Sequence, residues 1–544
     1  MTLRKPSLSD LIHYLPPWLM FIYPLLQFYS HNIKELTFSV LYRPFWVCTL
    51  TTLAAWLLLQ LFPKTRPRAS LIITVSWFYF FSHGHITTTL FPDNVPTSAE
   101  VIYLSLYLIT LFLLVRARTP MPALHKIVIT MLTLLMLLPL YRTVVFFWQE
   151  PVIAADDKEM ENFPPELQRV LDQPVDAQSP DIYYLIFDRY GSSITLRHFF
   201  GFSNDDFEQK LKSSGFYIAQ KSMANYPATF LSLASSLNTR YLDDLARFKR
   251  SSNKTLAHRL IHKAMIPRFL KKKGYRYIHV GSWWEATQTS LYADRVFRYD
   301  ALSILPSLDL TEFEVKLLHT SWAALPIQFL LARQNKTERV DRYSTEVQKA
   351  RNQIKSLLDT TYERGPKFVF CHFLLTHPPY YHKADGSVNP RGRSEVIDNP
   401  DLYLDSIRFA NRQILKMVEE IDKGSSRPPV IVIQADEGPY STLIKPDERW
   451  KSQHTRLRFR AQILNAIRIP GQDPSHLRPD LSPVNTFRLI LNTLFKAQMP
   501  LLPDRVFFSP SPDDLYRFKD VTQDLLRNLA HFESHPMVDD WSAR

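Results

Sequence analysis

The stretch DIYYLIFDRYG, residues 181–191, holds six consecutive apolar or aromatic residues and turns polar at Asp188. A short run rich in aromatic and β-branched side chains, bounded by charge and glycine, is the pattern of a strand buried on both faces. Three further runs share it, at 277–280 (YIHV), 368–373 (FVFCHF) and 430–434 (VIVIQ). Between them fall helical candidates at 204–213, 230–237, 347–360 and 402–421, the last with Leu402, Ile407, Ile414, Met417 and Ile421 at roughly helical spacing. Alternating strand and helix predicts an α/β domain over 181–544, its mostly parallel sheet covered by helices on both faces.

In such sheets the ligand site lies beyond the carboxyl ends of the strands. Polar clusters follow three of them: Asp188-Arg189-Tyr190-Gly191, His372 with His377 in HFLLTHPPY, and Asp436-Glu437-Gly438. An aspartate after a strand is ordinarily a turn former, but carboxylates and imidazoles converging from three strands make a metal or acid–base site. A fourth element is NYPATFLSLASSLN, residues 225–238, where Pro227 puts Thr229 at the first turn of an apolar helix. A hydroxyl there lies where backbone N–H groups and the helix dipole favour an anion. Capping the helix is the plainer use of such a threonine.

Ahead of this domain the composition differs. Residues 1–150 hold 11 Lys/Arg and 5 Asp/Glu, against 54 and 47 in the remaining 394. Five apolar stretches can be drawn, at 11–28, 44–62, 69–81 (extended toward 91), 101–115 and 127–148. A spanning helix needs about 20 mostly apolar residues. The second and fifth stretches meet that length, whereas the third and fourth need their polar flanks. A five-helix transmembrane domain over 1–148 is the expectation. Lys and Arg gather at the N-terminus (Arg4, Lys5) and in the second and fourth loops (Lys64, Arg66, Arg68; Arg116, Arg118, Lys126). The positive-inside rule then places the N-terminus in the cytoplasm and everything after Trp148 outside the cytoplasmic membrane. Residues 149–180, with five prolines and many acidic residues, read as a linker with one short helical candidate at 165–171. Two cysteines, Cys48 and Cys371, exclude a disulfide framework and a thiolate zinc site. Seven excess positive charges over 394 residues are too diffuse for a nucleic-acid binder.

The ordered set DRYG, NYPATFLSLASSLN, HFLLTHPPY, ADEGP, ILNA and SPVNTFRLILN resembles the alkaline-phosphatase/sulfatase-like superfamily. Within it, the membrane-anchored branch of lipoteichoic-acid synthases and phosphoethanolamine transferases is similar in layout, with five spans before an extracytoplasmic domain. The resemblance implies one divalent metal held by Asp188, Thr229, Asp436 and Glu437, with Thr229 also the nucleophile. It implies that His377 contacts the phosphate or lends the leaving group a proton, with His372 and His454 as further substrate contacts. Glu437 departs from the family's Asp-His-Gly, so either Glu coordinates in place of His or the site is altered. The four implied ligands offer only oxygen, which suits Mn2+ or Mg2+, while Zn2+ is also used among relatives. No serine or cysteine stands in the C/S-x-P-x-R motif of sulfatases. The function implied is transfer of a phosphorylated headgroup, glycerol phosphate or phosphoethanolamine, from a membrane phospholipid donor to a cell-envelope glycan, lipid or polymer. A phosphodiesterase or phosphatase, and a non-catalytic lipid-binding protein, are the alternatives. The pair Trp283-Trp284 is either a ligand contact or core packing.

Overall fold

The computed structural model describes residues 14–91, 95–117, 121–149, 162–173, 179–248, 251–298, 310–326, 342–389, 399–440, 443, 453–473 and 477–527. It divides into two compact units, Met1–Val152 with Ile304–Val340, and Ile153–Ser303 with Asp341–Arg544.

Among the described residues the first unit has five long helices: α1 (Leu15–His31), α2 (Tyr42–Gln60), α3 (Ala69–Leu90), α4 (Thr97–Arg116) and α5 (Pro122–Gln149). Two of them, α4 and α5, are long and apolar enough to cross a membrane, each with a mean hydropathy of 2.0. The fifth stretch qualifies as expected, and the fourth qualifies in place of the second. Helix α4 recruits Thr97–Glu100 to reach 20 residues, whereas α2 is diluted by Arg43, Thr49, Thr51, Thr52 and Gln60. Among the described residues, all but four of the exposed large hydrophobic ones precede residue 149, so the outward helix faces are apolar. Inward, Phe21, Leu25 and Tyr29 of α1 pack with Phe81 and Met136.

The first unit also takes in a segment expected in the soluble domain. Helix Glu312–His319 begins with a capping box between Thr311 and Glu314. Its apolar pair Phe313 and Leu317, one turn apart, buries in the core with Phe21 and Leu25. Gly84 N–H donates to Thr320 O at 3.0 Å and Trp322 N–H to Phe80 O at 2.8 Å. A Cβ on Gly84 would lie 2.4 Å from Thr320 O, so glycine permits this approach. The continuous 181–544 domain is thus interrupted by a piece whose apolar face belongs with the N-terminal helices.

The second unit is built on a seven-stranded sheet of β1 (Ile182–Phe187), β2 (Tyr217–Ile218), β3 (Arg276–Val280), β4 (Arg295–Phe297), β5 (Lys367–Phe373), β6 (Val430–Gln434) and β7 (Asn465–Arg468). Their order is β2-β7-β6-β1-β5-β3-β4. Strand β1 runs parallel to β5 and β6, and β3 parallel to β4 and β5. The edge pair β7 and β2 is antiparallel to its neighbours. Along β1, Tyr183, Leu185 and Phe187 enter one core, and Ile182, Tyr184 and Ile186 enter the opposite one. Period-two alternation with both sets apolar is why this strand reads as a continuous hydrophobic run. Helices Asp205–Ser213, Thr229–Ser236, Arg342–Asp359 and Pro400–Gly424 stand where the sequence places them. Helix Pro165–Leu171 buries Leu167 and Val170 in the second core, so this part of the expected linker belongs to the domain. Residues 150–161 and 174–178 of that linker lie outside the described residues.

Candidate active site

Parallel pairing of β1 with β5 and β6 brings three strand ends side by side. Residue Ile186 is in register with both His372 and Gln434, so Asp188 and Asp436, each two residues further on, leave β1 and β6 at one level, with His372 two positions short of it on β5. Each offers a ligand atom within 4.8 Å of the others, and all three residues are buried. Asp188 Oδ1, His372 Nε2 and Asp436 Oδ2 have no hydrogen-bond partner. Leaving buried carboxylate oxygens and an imidazole nitrogen unpaired is costly, and a cation at their centre satisfies all three together. These residues fit a divalent metal.

The position of His372 corrects its expected role as a substrate contact. Its Nδ1 is 2.9 Å from Thr287 Oγ1, which is 2.8 Å from Ser282 Oγ. That hydrogen bond orients the ring and leaves Nε2 facing the carboxylates, the usual outer support of a metal-ligating histidine. Trp284 packs edge-on against the same ring at 5.8 Å and Trp283 against His377 at 5.5 Å. The tryptophan pair therefore holds the two histidines.

Glu437, expected as a ligand, is engaged elsewhere. Its Oε1 is 3.1 Å from Arg189 Nη2, and its Oε2 accepts from Arg460. Arg460 also donates to Pro227 O at 2.7 Å, which ties it to the turn before Thr229. Gly438 makes this geometry, since its N–H donates to Arg460 O at 2.7 Å and a Cβ would lie 2.2 Å from Phe459 O. A carboxylate shared by two guanidiniums has its charge balanced and its lone pairs occupied. Arg189 has φ 60°, a left-handed conformation uncommon outside glycine. Its backbone N–H donates to Asp436 Oδ1 at 3.1 Å, and its guanidinium stacks on Tyr440 at 4.6 Å.

Electrostatics separates the carboxyls. Burial, and then the neighbouring Asp436, pushes Asp188 well above the carboxylate range. Burial and Glu437 lift Asp436 to about 6. Burial also acts upward on Glu437, but Arg460 and Arg189 outweigh it and hold Glu437 below its ordinary value. The strand-end aspartates share only Arg189, whose Nε lies 3.5 Å from Asp188 Oδ1, whereas Glu437 has two guanidiniums.

Thr229 opens helix Thr229–Ser236, with no side chain capping the N-terminus. Its hydroxyl donates to Glu437 Oε1 at 3.4 Å and helps stabilise ionised Asp436. His377 bonds through Nδ1 to Pro378 O, and burial followed by Arg189 drives its pKa down to about 3. The ring is neutral, with Nε2 an acceptor, so it holds no proton to lend at neutral pH. His454 falls within helix Gln453–Ala461, but its side chain lies outside the described residues. Sequence reasoning assigned no role to Arg189, Arg460 or Thr287. Arg189 directly follows Asp188 and was open to notice, whereas nothing in RLRFRAQ distinguishes Arg460 from its neighbours.

Residues 198–458 match the family model described as Sulfatase. The match covers just under half of the chain. Asp188 and Arg189 precede the matched span, and Arg460 follows it. None of the curated proteins matches the chain in sequence. Among solved structures, the C-terminal periplasmic domain of EptC from Escherichia coli is 11% identical, with a TM-score of 0.41 and coverage of 64% of this chain and 94% of that one. The lipoteichoic acid synthase LtaP from Listeria monocytogenes is 11% identical, with a TM-score of 0.36 and coverage of 64% and 79%. An alkaline phosphatase superfamily protein from Vibrio parahaemolyticus is 10% identical, with a TM-score of 0.37 and coverage of 65% and 82%.

Proposed function

We propose that this chain is a metal-dependent phosphotransferase that carries a phosphorylated headgroup on Thr229. The observation that carries the reading is the convergence of three unpartnered ligand atoms, on Asp188, His372 and Asp436, beside a hydroxyl at a helix N-terminus. Asp188, His372 and Asp436 would hold the ion, which supplies Lewis acidity toward the phosphoryl oxygen and the Thr229 hydroxyl. Two oxygens and one imidazole nitrogen suit Zn2+ and Mn2+ better than Mg2+, a shift from the all-oxygen expectation.

The protein's own groups supply the rest. The first turn of the Thr229 helix and the Arg189 and Arg460 guanidiniums favour the phosphate's non-bridging oxygens. Thr229 Oγ forms a bond to phosphorus as the bond to the leaving oxygen breaks. The threonine proton passes to solvent, because Glu437 is held as a weakly basic carboxylate by two guanidiniums, and the leaving oxygen is protonated from solvent. In the second step an acceptor hydroxyl attacks phosphorus and gives its proton to solvent, and Thr229 Oγ, released as its bond to phosphorus breaks, takes up a proton.

The donor in this reading is a membrane phospholipid and the acceptor a cell-envelope glycan, lipid or polymer, with the domain outside the cytoplasmic membrane. The apolar outer faces of the N-terminal helices and the basic second and fourth loops support that setting. The test is mass spectrometry of the metal-loaded full chain after incubation with phosphatidylglycerol or phosphatidylethanolamine. A headgroup-phosphate adduct on Thr229, absent in Thr229→Ala, is expected. Full turnover by Thr229→Ala on both donors would overturn the covalent route.

A further inference from the structure

Where Lys and Arg gather at one end of the first unit, a buried cation stands without counter-charge. Arg68 closes the turn Arg66–Arg68 that leads into α3, and it is only 5% exposed. Within a turn of it, Leu71 and Ile72 of α3 bury with Leu114 of α4, packed by Leu59 of α2 and Val128 of α5, so four helices meet here. Arg68 Nη1 donates to the carbonyls of Lys64 at 3.2 Å and Val115 at 3.5 Å, and its Nε has no hydrogen-bond partner. Carbonyls fix a guanidinium in place but do not balance its charge, and a buried unbalanced cation is costly.

Among the described residues Arg68 has no ion-pair partner. Helices α1 to α5 contain one acidic residue, Glu100, and it is paired with His83 at 2.7 Å. Residues at about 1.5 Å each put His83 roughly 22 Å of helix axis from Arg68. The exposed residues next to Arg68 and Val115 in the chain, Lys64, Arg66 and Arg116, add positive charge to the same end. Ser70 supplies a second, independent observation. It lies in the first turn of α3 and is 8% exposed. The six other serines and threonines of this helix each donate to the carbonyl four residues back. Ser70 Oγ has no partner. A guanidinium and a hydroxyl are thus both left open within one turn, at the helix end where the dipole favours negative charge. The planar arginine fork matches phosphate oxygens pairwise, and a serine hydroxyl donates to another.

We propose that Arg68 and Ser70 bind a phosphate group at the basic end of the helix bundle, with Lys64, Arg66 and Arg116 adding to the field that attracts it. A phospholipid headgroup and free phosphate present the same chemistry. Basic pockets between spanning helices on the cytoplasmic side take acidic headgroups. The inference rests on the membrane setting proposed above, and not on the chemistry proposed for the metal cluster.

Native mass spectrometry of the full chain in neutral detergent titrated with phosphatidylserine, and calorimetry of the same sample with inorganic phosphate, test it. Wild type should hold one saturable equivalent that Arg68→Gln weakens at least tenfold. Ser70→Ala should weaken the same equivalent at least threefold with an unchanged thermal midpoint, because Ser70 Oγ bonds to nothing in the protein. Ser70→Ala alone decides the outcome should Arg68→Gln fail to fold. Asp436→Asn should keep the equivalent, which separates it from the metal cluster. Tighter binding of phosphatidylserine than of phosphate marks a lipid occupant, equal or weaker binding a free phosphate, and either supports the proposal. Wild-type affinity for both probes in Ser70→Ala, loss of the equivalent in Asp436→Asn, or no saturable binding of either probe to wild type up to about 1 mM would overturn it. Washing membranes that hold the chain with alkaline carbonate checks the setting separately. Release of the chain would refute the spanning helices, while the variants still decide the phosphate site.

Discussion

Arg189 Nη2 stands 3.1 Å from Glu437 Oε1, so the residue that follows one candidate ligand, Asp188, neutralises the residue that follows another, Asp436. Two adjacent pairs at two strand ends therefore divide the work. The aspartates face the cation position, while the arginine and glutamate face each other.

Replacing Glu437 should accordingly act through the arginines before it acts on metal. Glu437→Gln leaves Arg189 and Arg460 short of counter-charge in a largely buried site, a loss on the order of 3 kcal/mol. Glu437→His should be no better, because an imidazole gives the guanidiniums no carboxylate. Denaturant unfolding of both variants checks this. Wild-type stability with full activity in Glu437→His would show that the arginine clamp is incidental.

Metal content should follow the three converging residues. His372→Ala and Asp436→Asn should each lower affinity for Zn2+ or Mn2+ by at least tenfold, whereas Glu437→Gln should retain most of it. Titration with a competing chelator reads the constants. The reverse order, with Glu437→Gln losing metal and His372→Ala keeping it, would restore the four-oxygen set.

Gly438→Ala should be disproportionately harmful for one methyl group. The added carbon would sit 2.2 Å from Phe459 O, so the Asp436–Gly438 turn has to move away from Arg460. Loss of turnover by about two orders of magnitude, the effect of a misplacement near 1 Å, is expected with most of the fold kept by circular dichroism.

Acid should destabilise the second unit through two buried histidines. Burial holds both His279 and His382 neutral, with pKa values near 4. Their pKa in the unfolded chain is about 6.5, so below that pH the unfolded state binds more protons. Stability is therefore complete above pH about 6.5 and is lost as pH falls toward 4, by up to about 3 kcal/mol for each group. His382 stacks on Phe409 at 4.6 Å, so His382→Phe should keep the packing and flatten the slope between pH 6.5 and 4.5. An unchanged slope would remove His382 from the account.

A fragment beginning near Pro174 should not behave as an independent soluble domain in its native sequence. It carries helix Glu312–His319, whose Phe313 and Leu317 bury among the N-terminal helices. Size-exclusion chromatography should show self-association of the native fragment and a monomer for Phe313→Ser/Leu317→Ser. A monodisperse native fragment would mean that the segment refolds onto its own domain.

The sequence by itself determined the fold class. Buried parallel strands need continuous apolar runs, and DIYYLIF, FVFCHF and VIVIQ announce themselves without help from the rest of the chain. It also placed Asp188, Thr229, His372 and Asp436, because residues at strand ends and helix starts take their positions from local pattern. Only the tertiary structure decided which of these groups face one another. The family resemblance implies Glu437 as a ligand, yet Arg460, 23 residues further along, turns it away from the cluster. The segment around Phe313 shows the same limit at larger scale, since an amphipathic helix records that it has an apolar face but not what will cover it. Hydrophobic period is written in neighbouring residues, whereas ion pairing and docking are settled by groups distant in the chain, whose meeting depends on the completed sheet and its packed helices.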